Sequence, residues 1–445
     1  MSDNKTNDTG DIAAAGFSSA STDADVDTKL LRTGIDPQRL SVVQLGHKSH
    51  LMGIPSWFWR LLLGLMLWLL TLLFDSLLVE LSPYPQAAIK LFIGLTILVA
   101  ACEILVSATE RLAARFHWNH YIAGTLAEIL STAPELVVIA FVVPISPITA
   151  FTIGVVTIYN NALVFSLYSY FLPKDKEGKF LMPAPITEAG TQILIGGGAM
   201  GLILGLVMLT LNSTPESKNG FSVADLIFIS FILLSIFGVY LYKLLTSYAK
   251  EEAEVRENLS MSEEDIEQRL DLVYENVKPS SFPVITALFI AGIFGAFIGG
   301  HEISGFASTM LQDLEINPIL TALVLALFAG MSEYVILWQS HRKREYGIAL
   351  ANAFGGITQV MFLVLPFTLL CIALYQGVLD PTHPELPLQF STPNIFLLLF
   401  LFPTFYTLSS LLEEDHTLGI LDTTIMTSIF LFLIVLLITY GGGSG

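Results

Sequence analysis

Two glutamates stand inside apolar runs of this chain, Glu135 in the run 120–143 and Glu333 in the run 316–340. A carboxylate in a membrane span costs about 3 kcal/mol on insertion scales and faces a cavity, a partner or an ion. Around the first acid the sequence reads Ser131-Thr132-Ala133-Pro134-Glu135, and around the second Gly330-Met331-Ser332-Glu333. Proline donates no main-chain hydrogen bond, so Pro134 frees a backbone carbonyl beside the acid. An acid and a freed carbonyl together are the chemistry of a cation site. The expectation is that Glu135 and Glu333 come from two halves of the molecule and meet at one site.

Composition says what must hold these acids. Of 445 residues 53% are hydrophobic and 13% charged, against about 25% charged in a soluble domain. The mean hydropathy is +0.67. Apolar runs of 18 or more residues read as transmembrane helices, so the chain is expected to be an all-α polytopic membrane protein whose main partner is the lipid bilayer. The net charge of −18 is concentrated in two soluble segments and signals no nucleic-acid partner. Cys102 and Cys371 have neither disulfide nor zinc spacing.

Eleven spans are expected, at 56–81, 86–112, 120–143, 148–172, 187–211, 223–248, 284–311, 316–340, 346–374, 392–411 and 418–440. Residues 1–50 are polar and acidic and read as a disordered tail. They lack the basic-then-apolar order of a signal peptide. Residues 441–445 read as a cloning scar. With the amino terminus in the cytoplasm, Arg60, Arg111, Arg115, Lys174, Lys176, Lys179, Lys243, Lys250 and Arg342-Lys343-Arg344 fall on the cytoplasmic side. The insert 250–278 has ten acids against four bases. Ser262 followed by Glu263, Glu264 and Asp265 marks a helix start, with Ile266, Leu270 and Val273 on one face. The expected division is therefore tail 1–50, an extra helix 56–83, one five-helix unit 86–248, an acidic cytoplasmic helix or linker 249–282, and a second unit 283–440.

The two units resemble each other. Cys102-Glu103-Ile104 matches His301-Glu302-Ile303, and Glu135 follows Glu103 by 32 residues where Glu333 follows Glu302 by 31. Ala133-Pro134-Glu135-Leu136-Val137 matches Met331-Ser332-Glu333-Tyr334-Val335, and 150–165 lies against 347–362. An odd number of spans per unit makes the second insert upside down. Inverted repeats of this kind place a transport site at their interface near the midplane.

At these residues the chain resembles the calcium/cation antiporter superfamily. Leu130-Ser131-Thr132-Ala133-Pro134-Glu135 is similar to its Gly-Thr-Ser-x-Pro-Glu motif, and the preceding Ile122-Ala123-Gly124-Thr125-Leu126-Ala127 fits the approach to it. Ala349-Leu350-Ala351-Asn352-Ala353-Phe354-Gly355-Gly356 resembles its Ala-Leu-Gly-Asn-Ala-Ile-Gly-Ser segment. Ile357-Thr358-Gln359-Val360-Met361-Phe362 is closest to the calcium/proton exchanger branch, whose one-plus-five-plus-five architecture the chain shares over about 56–440. Six positions depart. Leu130 replaces the motif glycine, Ala329 and Gly330 stand where sodium/calcium exchangers place Thr and Ser ligands, Ser332 stands for proline, and Tyr159 and Gly356 take small-serine positions. Oxygens that a sodium site uses are thereby missing.

The resemblance implies Ca2+ as the transported ion and H+, or alternatively Na+, as the counter-ion, with no bound cofactor. Calcium takes six to eight oxygens. Glu135 and Glu333 would supply one carboxylate each, Thr132 and Ser131 hydroxyl or carbonyl oxygens, and Asn160, Asn161 and Gln359 amide oxygens, unless these amides only bond helix to helix. Emptied, two close carboxylates in low dielectric do not both stay ionised, so at least one takes up a proton. Glu128, two turns before Glu135, is a candidate for the cytoplasmic approach or a proton relay, and Glu103 and Glu302 for a vestibule or proton path. The expected function is a secondary active antiporter of a bacterial inner (plasma) membrane that exports Ca2+ against H+, with a sodium-coupled exchanger or a non-transporting member of the fold as alternatives. No His-Glu-x-x-His, nucleophile-elbow serine or paired catalytic aspartate supports an enzyme.

Overall fold

The computed structural model describes residues 55–74, 82–116, 129–182, 186–213, 220–258, 280–342, 346–379, 388–389, 392–413 and 416–441. The tail 1–50, the acidic segment from Ser262 to Val273 and residues 442–445 lie outside them. Among the described residues nine helices are long and apolar enough to cross a membrane, and two shorter apolar helices accompany them. The chain is an integral membrane protein.

In chain order the helices are α1 (Ser56–Leu73), α2 (Pro83–Phe116), α3 (Ala133–Val142), α4 (Pro147–Tyr168), α5 (Thr191–Ser213), α6 (Val223–Asn258), α7 (Phe282–Ser308), α8 (Pro318–Ala329), α9 (Met331–Arg342), α10 (Tyr346–Gln359), α11 (Leu365–Leu374), α12 (Thr392–Glu413) and α13 (Ile420–Gly441). Several starts are written locally. Proline opens α4 and α8, where a missing N–H costs nothing. The Ser146 hydroxyl accepts from Thr149 N, and the Asn317 carboxamide oxygen accepts from Ile319 N at 2.8 Å, capping otherwise orphaned donors. The sixth span runs further than its apolar stretch, to Asn258.

α4 is the central post. It packs against α8, α10, α11 and α13, and most of its side chains are buried, with Leu167 near its end exposed. α1, by contrast, exposes Leu63, Met66, Leu69, Leu70 and Leu73, as a helix at the lipid boundary does. Small residues bring the inner helices close. A Cβ on Gly94 would stand 3.0 Å from the Gly299 carbonyl oxygen, and one on Gly299 3.0 Å from that of Gly94. Along this α2–α7 contact Leu98 meets Gly299, Ala101 meets Gly295 and Leu105 meets Gly292, so the two helices run antiparallel. α5 and α12 do the same, with Gly205 on Leu399, Gly201 on Leu401 and Gly198 on Phe402.

Two short clips join the halves. Phe180–Leu181, between α4 and α5, pairs antiparallel with Thr417–Leu418, between α12 and α13. Gly220–Phe221, between α5 and α6, pairs with Leu388–Gln389, between α11 and α12. Each clip ties a loop that precedes α7 to a loop that follows it.

Candidate cation site

Both acids sit just past a break in a helix. In the first, helical residues from Ile129 halt at Thr132, and α3 restarts at Ala133 with Pro134 in its first turn. Pro134 cannot donate back into the preceding turn. Thr132 holds φ −82° and ψ −10° and its hydroxyl donates to the Ile129 carbonyl at 2.7 Å. In the second, α8 ends at Ala329 and α9 begins at Met331, with Gly330 between them at φ −74° and ψ 4°. No proline marks this break. Glycine, a poor helix former, stands there instead. Apolar patterning alone reads 120–143 and 316–340 as continuous spans, because a one-residue turn leaves the hydropathy unchanged.

Glu135 and Glu333 each fall in the first turn of the half-helix after the break. There the positive end of the half-helix dipole favours a carboxylate. Glu135 is 1% exposed, and neither of its carboxylate oxygens has a hydrogen-bond partner. Glu333 is 5% exposed. Its Oε2 accepts from Asn161 Nδ2 at 2.8 Å, and its main-chain oxygen accepts from Asn352 Nδ2 at 3.2 Å. Tyr334 lies within electrostatic reach of both carboxylates. Gly356 of α10 makes room: a Cβ there would stand 2.6 Å from Glu333 Oε2 and 2.8 Å from Asn161 Nδ2.

The neutral residues expected from the sequence are buried around α4 and the breaks. Ser131, Thr132, Asn160, Asn161 and Gln359 are all buried. Asn161 Oδ1 and Gln359 Oε1 have no hydrogen-bond partner, and neither has Asn160 Nδ2. Gln359 stands where α10 gives way to the π-helical turn Val360–Val364, a widening that recurs at functional sites. Ser131 offers its carbonyl to Cys102 Sγ at 3.9 Å. Glu128 lies outside the described residues.

Glu103 and Glu302 are held by α1. Arg60 pairs with Glu103, and the Trp68 indole N–H donates to Glu302 Oε1 at 3.1 Å. His301 Nδ1 is 3.6 Å from the same Glu302 and lies edge-on to Phe141. The extra helix is thus fastened to both halves, to α2 by one acid and to α7 by the other. Arg60 is nearly half exposed, so its pair with Glu103 is partly screened. Arg60→Gln is expected to cost roughly 1 kcal/mol and lower the melting midpoint by about 2 °C, and Trp68→Phe by a similar amount. Unchanged midpoints in both variants would mean these bonds do not fasten α1.

Among the described residues no three His, Cys, Asp or Glu side chains gather closely enough to hold a metal. At the two breaks the ionised groups are the Glu135 and Glu333 carboxylates, and the oxygens of Ser131, Thr132, Asn160, Asn161 and Gln359 are neutral. Buried bare acceptors with this donor set fit a hard cation. Sequence reasoning missed Tyr334 and Asn352 as site residues. Tyr334 carried one signal, its place directly after Glu333. Asn352 carried another, its place in the Ala349–Gly356 segment.

Residues 284–439 match the family described as sodium/calcium exchanger protein. The crystal structure of the H+/Ca2+ exchanger CAX superposes with a TM-score of 0.60 at 12% identity, covering 85% of this chain and 88% of that one. This is the calcium/cation antiporter fold. A second antiporter-fold structure, that of the Ca2+/H+ antiporter protein YfkE, superposes with a TM-score of 0.56 at 13% identity over 85% of this chain and 98% of that one. No curated protein sequence matches the chain. The helices flanking the two breaks, α3 and α8, both pack on α4.

Proposed function

We propose that this chain is a secondary active cation antiporter that exports Ca2+ in exchange for H+ by alternating access, with Glu135 and Glu333 as its central cation site. The observation that carries the reading is the pair of acids at two helix breaks, one of them fully buried with both carboxylate oxygens bare. A cation supplies what those oxygens lack, and protons supply it when the cation leaves. Occupancy of one site by Ca2+ or by H+, never both, is a sufficient coupling device.

Several features support the inverted-repeat arrangement of 86–248 and 283–440. α2 and α7, and α5 and α12, are counterparts in the two units and pack antiparallel. The two strand clips exchange under the same pairing. They also agree with the span count. With eleven spans and a cytoplasmic amino terminus, the first clip joins two cytoplasmic loops and the second two outer loops. Glu103, Glu302 and Glu128 remain proposals for the proton path. For the first two, α1 is then the element that holds or releases the acids.

The name of the matched family and that of CAX point to different counter-ions. Protons are favoured here because Ala329 and Gly330 carry no side-chain oxygen at the second break. In proteoliposomes, an imposed pH gradient is expected to drive 45Ca2+ flux, and a sodium gradient of equal size, with pH clamped, is expected to drive none above the leak. Flux driven by sodium alone would overturn the choice of counter-ion. Flux under neither gradient, with the protein folded and reconstituted, would overturn antiport.

A further inference from the structure

Tyr334 follows Glu333 in the first turn of α9, and its hydroxyl is an oddity of this site. The oxygen is buried and has no hydrogen-bond partner. It does not point away from the helix break. A Cβ built on Gly330 would stand 2.9 Å from Tyr334 Oη and 3.1 Å from the ring carbon that bears it. The phenol therefore folds back over the one residue of the break and occupies the space a side chain at 330 would use. From there it is within electrostatic reach of Glu333 and of Glu135. A buried hydroxyl left bare costs stability and asks for an explanation. A buried hydroxyl folded over the break that precedes Glu333, with no partner of its own, has its lone pairs free.

We infer that Tyr334 Oη is a cation-facing oxygen of the site, taking the place of the side-chain oxygen that Gly330 lacks. This rests on the reading of Glu135 and Glu333 as the cation site. The phenol acts as a neutral hydroxyl, adding an oxygen without adding charge. Such a donor suits a site whose two carboxylates already balance a divalent ion. Glycine at 330 and tyrosine at 334 form one unit, because the first leaves the space that the second fills. The first break shows the converse. There Thr132 brings its own hydroxyl, and Leu136 stands one residue after Glu135, where Tyr334 stands after Glu333. The break residue carries a hydroxyl at the first break, Thr132, whereas at Gly330 the hydroxyl over the break comes from Tyr334.

The test uses the purified full chain and 45Ca2+ at equilibrium. Tyr334→Phe removes one oxygen and keeps the ring, and is expected to weaken Ca2+ binding about tenfold. Without Ca2+ the variant should melt at the same temperature as the parent or higher, because a bare buried hydroxyl is gone. Tyr334→Leu should lose affinity similarly, and Gly330→Ser/Tyr334→Leu should recover much of it, since the serine hydroxyl then enters the vacated space. Unchanged affinity in Tyr334→Phe, with binding lost in Glu135→Gln, would overturn the tyrosine inference alone. Unchanged affinity in both would overturn the site and the inference with it. If Tyr334→Phe does not fold, the leucine pair decides: recovery on adding serine supports the inference, and no recovery overturns it.

Discussion

Glu135→Gln is expected to abolish Ca2+ flux and to weaken Ca2+ binding by about a hundredfold or more, the scale of removing one charge from a buried, paired set. The glutamine has the shape of the glutamate, so the loss reports charge and not packing. It also turns an amide N–H2 toward the place where a cation would sit. The same variant should make the ion-free protein more stable, because a buried carboxylate with no partner is costly. A melting midpoint that rises while transport disappears is the signature of a functional acid held at the expense of stability. A structural carboxylate would show the reverse, a lower midpoint with flux retained. Reconstituted flux and melting of the same preparation separate the two.

Gly356→Ala should have the second largest effect, from a single methyl group. Its Cβ would stand 2.6 Å from Glu333 Oε2, 3.2 Å from Glu333 Cδ and 2.8 Å from Asn161 Nδ2. The methyl must displace the carboxylate, the amide or both, and so break the bond between α4 and α9 at Glu333. Alanine gains about 1 kcal/mol of helix propensity over glycine, while overpacking costs about 1–3 kcal/mol, so stability should change little or fall slightly. Binding should not be spared. With Glu333 pushed from its place, Ca2+ affinity is expected to fall about tenfold or more, read by 45Ca2+ binding on the purified variant. Parent-like affinity would mean that the position of the Glu333 carboxylate does not matter to binding.

What the sequence shows of this site differs between the halves for physical reasons. Pro134 announces the first break, because proline has one local consequence wherever it falls in a helix. The second break has only Gly330, and glycine inside an apolar run is ambiguous: it serves helix crossings at Gly94 and Gly299 as readily as a turn. The acids are legible because charge inside an apolar run is rare. The bond between Asn161 and Glu333 is not legible from local sequence, since the two are 172 positions apart. Tyr334 is not legible at all as an oxygen donor, because an aromatic residue in a span is ordinarily packing. Only the missing side chain at Gly330 leaves the space in which its hydroxyl lies. Arg60, Trp68 and the pair Glu103 and Glu302 show the same limit. The sequence marks the acids as a symmetric pair, but that one extra helix holds both is a fact of packing.

Proton release on Ca2+ binding is the most direct measure of exchange at one site. Calorimetric titration of the purified chain with Ca2+, in two buffers of different ionisation enthalpy, counts the protons expelled. At least one proton should be released per Ca2+, with affinity rising about tenfold per pH unit for each proton displaced, and none in Glu135→Gln. Ca2+ binding that expels no protons and keeps its affinity as pH falls would contradict it.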